Sequence, residues 1–127
     1  MKLRRGEIGL FVADVGRATG FYMATLGFKR IPDPHFGESD GSWEKLQSGD
    51  LIITIFKAQT PEAAPAPASR SGMTADMLID DLAPAVMKLK AAGARVGDVR
   101  DWPGGKVVEF TDLDGICWAL IESKGSK

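Results

Sequence analysis

The chain has 127 residues, the size of one compact domain, and a chain of this length buries roughly two-thirds of its unfolded surface. Hydrophobic residues make up 44% and charged residues 26%, which excludes the charge-rich, apolar-poor signature of disorder. Sixteen basic and seventeen acidic residues leave a net charge of −1, so no global field favours nucleic acid or an anionic membrane surface.

The basic start Met1-Lys2-Leu3-Arg4-Arg5 resembles a signal n-region, but the apolar stretch after it is short and holds Asp14, so no h-region follows. No uniformly apolar run approaches the roughly twenty residues needed to span a bilayer. These features predict a cytoplasmic protein. The single cysteine, Cys117, lies in an apolar run and reads as a small buried hydrophobe rather than a reactive thiol.

In chain order, Glu7 to Ala13 is apolar and β-prone, and Asp14 is a good N-cap. Val15, Ala18, Phe21, Tyr22 and Leu26 then fall at helical spacing, and Gly27 stops the helix. Phe28 to Ile31 reads as a short strand and Pro32 to Ser42 as a loop. Trp43 to Gln47 and Leu51 to Lys57 are strands joined by a hairpin turn at Ser48-Gly49-Asp50. The first module, 7–58, is therefore predicted as βαβββ.

Residues 59–72, rich in alanine and proline, read as an extended linker. In the second module, 73–123, Met73 to Asp80 is a strand. Asp81 caps a helix carried by Leu82, Ala85, Val86, Leu89 and Ala92, and Pro84 is tolerated in its first turn. Gly93 ends that helix. Arg95 to Arg100 reads as one strand, Trp102 to Gly105 as a turn, and Lys106 to Thr111 and Ile116 to Glu122 as strands joined at Asp112-Leu113-Asp114-Gly115. Glu7 stands seven residues before Asp14 and Thr74 seven before Asp81, so the two modules form an internal repeat.

The strand EIGLFVADV, the segment RATGFYMATLGF and the late FTDLDGICWALIE together resemble the vicinal-oxygen-chelate superfamily, which includes glyoxalase I, the bleomycin-resistance proteins and the extradiol dioxygenases. Leu113 stands where that family's Phe-x-Asp-Pro-Asp-Gly pattern has proline. The resemblance covers nearly the whole chain. It implies a single α+β domain, 1–127, whose two modules form a cup-shaped mixed sheet with helices on the outer face.

The resemblance also implies metal ligands on the first and last strands of each module. Those positions fall on Glu7, Thr54, Thr74 and Ala119, of which only Glu7 is a competent ligand, and catalytic sites need about three protein donors. His35 has no histidine partner. Asp76 or Glu122 would fill a shifted register, but a one-residue shift turns a strand side chain to the opposite face. No metal and no cofactor is expected.

If these four positions face the cup, alternation puts Phe11, Ile52, Phe56, Asp76, Leu78, Cys117 and Ile121 on the same face. Ile8, Leu10, Ile53, Trp118 and Leu120 then form core beneath the helices. An apolar cup with a few polar groups suits a small molecule, bound by Glu7, Phe11, Trp43, Thr54, Phe56, Thr74, Asp76, Trp102 and Ala119. Carboxylates there need a cation, supplied either by a lysine or arginine of the protein or by a cationic ligand. Trp43 and Trp102 either stack on a planar ligand at the rim or anchor loops.

The leading expectation is a homodimeric, metal-free binder of an aromatic or cationic antibiotic-like molecule, of the bleomycin-resistance type. The alternatives are a lyase, isomerase or dioxygenase in which Glu7 serves as ligand or general base, and an accessory domain whose sheet makes a protein interface.

Overall fold

A computed structural model describes residues 1–58 and 75–123. The predicted linker, 59–72, and Thr74 lie outside the described residues. The chain divides into two compact units, Met1–Ala64 and Pro65–Lys127. The described residues carry two helices and nine strands in α+β order.

In the first unit, β1 (Ile8–Val12) leads into α1 (Val15–Leu26), followed by β2 (Lys29–Arg30), β3 (Trp43–Ser48) and β4 (Leu51–Lys57). Asp14 caps α1: its carboxylate accepts the Arg17 N–H at 2.9 Å. Gly27 ends the helix in the left-handed conformation, φ 71°, where a side chain would be strained. The sheet runs β1-β4-β3-β2, with β1 parallel to β4 and the other pairs antiparallel. Gly49 and Asp50 form a two-residue hairpin that sets Ser48 opposite Leu51, and with it the whole β3/β4 register.

One face of this sheet carries the core, where Leu10, Leu46, Ile53 and Ile55 are buried and α1 packs over β3 and β4. Ile8, expected in that core, is 38% exposed because it opens β1 at the sheet edge.

In the second unit, β5 (Asp76–Ile79) and α2 (Leu82–Ala91) precede β6 (Arg95–Val96), β7 (Arg100–Trp102), β8 (Gly105–Thr111) and β9 (Cys117–Glu122). The path β5-β9-β8-β6 has one parallel pair, β5/β9, and β7 pairs with β8 beside β6. The strand expected over Arg95 to Arg100 is thus two strands. Between Val96↔Phe110 and Arg100↔Val107 one side advances four residues and the other three, so a residue bulges at Gly97-Asp98-Val99. Trp102, expected in a turn, ends β7 opposite Gly105.

The helix start differs from expectation too. Asp81 has extended N-cap backbone geometry but makes no side-chain cap bond. Instead the buried Glu122, from the end of β9, accepts the Leu82 N–H through Oε2 at 2.9 Å. A carboxylate at a helix N-terminus meets both the unpaired N–H groups and the positive end of the dipole. Val108, Phe110, Trp118 and Leu120 are buried on this same sheet face, and α2 contributes Leu82, Ala85 and Leu89 to the unit's core.

Candidate functional site

The open face of the first sheet is organised in rows across β1, β4 and β3. Pairing places Gly9, Thr54 and Lys45 in one row, and Phe11, Phe56 and Trp43 in the next. A polar row therefore lies beside an aromatic row, two residues along each strand.

Phe11 and Phe56 are stacked, with ring centroids 5.5 Å apart, and remain 47% and 39% exposed. The Phe56 ring reaches over Gly9, where an added Cβ would lie 3.3 Å from a ring carbon. A side chain at position 9 would therefore require the Phe56 ring to give by a few tenths of an ångström.

This face lines a concavity of about 440 Å³, bounded by Glu7, Asp33, Phe36, Trp43, Lys45 and Phe56 together with Ile8, Gly9 and Thr54. Its volume lies within the range of small-molecule sites. At its polar end stands Lys45, only 4% exposed. The ammonium donates to Glu7 Oε1 and pairs with Asp33 Oδ2 at 3.0 Å. Arg5 Nε lies 2.7 Å from the other Glu7 oxygen, and the Thr54 hydroxyl donates to Glu7 Oε1 at 3.4 Å.

Asp33 belongs to the loop between β2 and β3, closed by reciprocal backbone bonds between Asp33 and Gly37. Its Oδ1 accepts the backbone N–H groups of His35, at 2.7 Å, and Phe36, at 3.0 Å. One carboxylate thus fixes the loop through one oxygen and Lys45 through the other. Phe36, 81% exposed, is presented at the concavity by that turn.

The charges stabilise one another. The Lys45 hydrogen bond, with Arg5 nearby, outweighs desolvation and holds the Glu7 carboxyl below its usual value. The His35 N–H, then Lys45 and the Phe36 N–H, lower Asp33 to about 2. Burial acts to lower the Lys45 pKa, but its bonds to Glu7 and Asp33 prevail and raise it. All three groups are charged at neutral pH.

Of the residues singled out from sequence, Glu7, Trp43, Thr54 and Phe56 line this concavity, and Phe11 stacks on Phe56. Asp76, Trp102 and Ala119 belong to the second unit. Ala119 sits in register between Asp76 and Glu109. Trp102 is 42% exposed and its indole N–H lies 3.4 Å from the Glu122 carbonyl oxygen.

Arg5, Asp33, Phe36 and Lys45 were not anticipated. A signal for Lys45 was present: the hairpin at Gly49-Asp50 sets it opposite Thr54 by counting. Nothing in the sequence brings Asp33 to it.

Of the positions at which a family metal would be held, the described ones do not fit one. Both Glu7 oxygens face cations of this chain, the Thr54 hydroxyl is a neutral group already donating to Glu7, and Ala119 has no donor atom. Among the described residues no group of three His, Cys, Asp or Glu stands together as a metal site. Glu122, one of the two shifted-register candidates, is turned to the helix side, where it caps α2. No described helix is long and apolar enough to cross a membrane.

The model of the Glyoxalase/Bleomycin resistance protein/Dioxygenase superfamily matches residues 4–120. No curated protein sequence matches the chain significantly. Among solved structures, the fosfomycin resistance protein FosX from Mesorhizobium loti aligns with a TM-score of 0.70 at 17% identity, over 94% of this chain and 92% of that one. The bleomycin-binding protein from Streptomyces verticillus, solved with copper(II)-bleomycin, gives 0.65 at 19%, over 97% and 98%. TioX from Micromonospora sp. ML1 gives 0.66 at 20%, over 95% and 99%. At these identities the likeness is one of fold.

Proposed function

Because this chain belongs to the Glyoxalase/Bleomycin resistance protein/Dioxygenase superfamily, we propose that it is a metal-free binding protein for planar aromatic small molecules, acting by sequestration. The observation that carries this reading is the aromatic row Phe11–Phe56–Trp43, in which the exposed Phe56 and the half-buried Trp43 line a concavity whose charged groups already neutralise one another. Aromatic faces left accessible beside a polar anchor suit a flat, largely apolar ligand.

Of the two partners weighed for Glu7, the protein supplies its own: Lys45 and Arg5 take the place a cationic ligand would fill. The aromatic class is therefore favoured over the cationic one. The lowered Glu7 pKa also weakens it as a proton acceptor, which disfavours the general-base alternative. In support, another protein of this fold binds bleomycin. The working form is read as a homodimer, as the resemblance implies, and as cytoplasmic, as the sequence features predict.

The test is titration of purified protein with a panel of neutral planar aromatic compounds, followed by tryptophan fluorescence. Binding should quench Trp43 and weaken on Phe56→Ala. If no compound binds, or if affinity is the same in Phe56→Ala and Trp43→Phe, the aromatic-row reading is wrong. Light scattering of the same samples reports the subunit count.

A further inference from the structure

We infer that Lys45 is a ligand-binding residue, and that the molecule taken into the concavity carries a neutral hydrogen-bond-accepting oxygen, such as a ring ketone, which the Lys45 ammonium binds. This rests on the reading of the concavity as an aromatic-ligand site and names the chemical class it selects.

An ammonium has three N–H donors. Two are directed at Glu7 and Asp33, and no described residue accepts the third. Lys45 nevertheless lines the concavity and is almost wholly buried, so its remaining N–H is available to whatever fills that space. A buried donor left without an acceptor is costly, and a ligand that displaces solvent from it must supply an acceptor or lose affinity.

Neighbouring charge decides which acceptor. A cationic group would meet the ammonium itself. An anionic group would approach Glu7 and Asp33, whose two carboxylates flank the same nitrogen, at 3.0 Å for Asp33. Arg5 on the far Glu7 oxygen completes a balanced set of two positive and two negative groups. A neutral oxygen gains the hydrogen bond without either repulsion.

Geometry adds the aromatic part. Lys45 and Trp43 lie two residues apart on β3 and face the same side, as do Thr54 and Phe56 on β4. A planar ring lying on Phe56 and Trp43 can therefore direct an edge oxygen toward the next row, where the ammonium stands.

The matched probes are 9-fluorenone and fluorene, which share a flat tricyclic frame and differ by one carbonyl oxygen, with proflavine as a planar cation. Fluorenone should bind the wild-type protein at least tenfold more tightly than fluorene, although fluorene is the more apolar, and more tightly than proflavine. In Lys45→Met the preference for fluorenone over fluorene should disappear. Because that variant leaves two carboxylates without their lysine and can fail to fold, the infrared carbonyl stretch of fluorenone bound to wild-type protein gives an independent readout. A shift to lower frequency than in an apolar solvent is expected.

Equal or tighter binding of fluorene, a preference for proflavine, or an unshifted carbonyl stretch would overturn the role of Lys45 while leaving the aromatic site standing. Failure of all three probes to bind would overturn both.

Discussion

Lys45 and Glu7, 38 residues apart in the chain, form a hydrogen-bonded ion pair on the open face of the first sheet. Parallel pairing of β1 with β4 and antiparallel pairing of β4 with β3 bring them together, so the contact exists only when all three strands are in register. Its electrostatic cost is shared with Asp33 and Arg5. The consequences are measurable in stability as well as in binding.

Lys45→Met should destabilise the protein by about 1 kcal/mol, since the buried lysine loses its charged hydrogen bonds to two carboxylates that remain partly solvated. Urea unfolding gives the value. A change under 0.5 kcal/mol would mean the carboxylates are solvated well enough without the lysine.

Asp33 should titrate near pH 2 against an ordinary value of 3.8. A carboxyl lowered on folding contributes stability that is fully present above 3.8 and is lost as pH falls through about 2. Carboxyl carbon NMR of the folded protein should follow that midpoint, and Asp33→Asn should flatten the loss of stability in this window. A midpoint near 3.8 in the folded protein would show that the bonds from His35, Phe36 and Lys45 do not hold in solution.

The two helices should respond differently to loss of their preceding aspartates. Asp14→Ala should cost about 1 kcal/mol, the usual value of an N-cap, because Asp14 accepts the Arg17 N–H. Asp81→Ala should change stability by less than about 0.5 kcal/mol, and Glu122→Ala by about 2 kcal/mol through the unmet Leu82 N–H. Thermal or urea unfolding of the three variants checks the order, and a costly Asp81→Ala would contradict the assignment of Glu122 as the cap.

Gly9→Val should weaken binding of fluorenone at least tenfold, because the new side chain enters the polar row and its Cβ already crowds Phe56 at 3.3 Å. Titration by tryptophan quenching tests this. Unchanged affinity would place the ligand elsewhere.

Added zinc, nickel or manganese should leave the melting temperature unchanged at equimolar metal, as should chelator treatment of freshly purified protein. A metal bound through the folded state would raise it by mass action. A stoichiometric metal by native mass spectrometry would show that Glu7 leaves its cations for one.

Much of the architecture was legible in the chain. Period-2 and helical spacing marked the strands and both helices, and Gly27 marked the end of α1, because burial pattern and backbone conformation are local consequences of residue type. The strand over Arg95 to Arg100 was drawn as continuous because a bulge depends on counting against a partner strand, which spacing within one segment does not reveal. Asp81 looked equivalent to Asp14 for a similar reason: both have the right type and position, and only the arrival of Glu122 from β9 distinguishes them.

The sequence by itself determined the order of elements, the alternation that separates Phe56 and Thr54 from Ile53 and Ile55, and the shortage of metal-binding side chains at the family's positions. Only the tertiary structure decided the charge state and partners of the site, because the loop that carries Asp33 and Phe36 and the N-terminal segment that carries Arg5 and Glu7 meet Lys45 through space. Periodicity reports which way a side chain points from its own strand. Coulomb interactions and hydrogen bonds depend on distances of a few ångströms between segments, and those distances exist only after the sheet has formed.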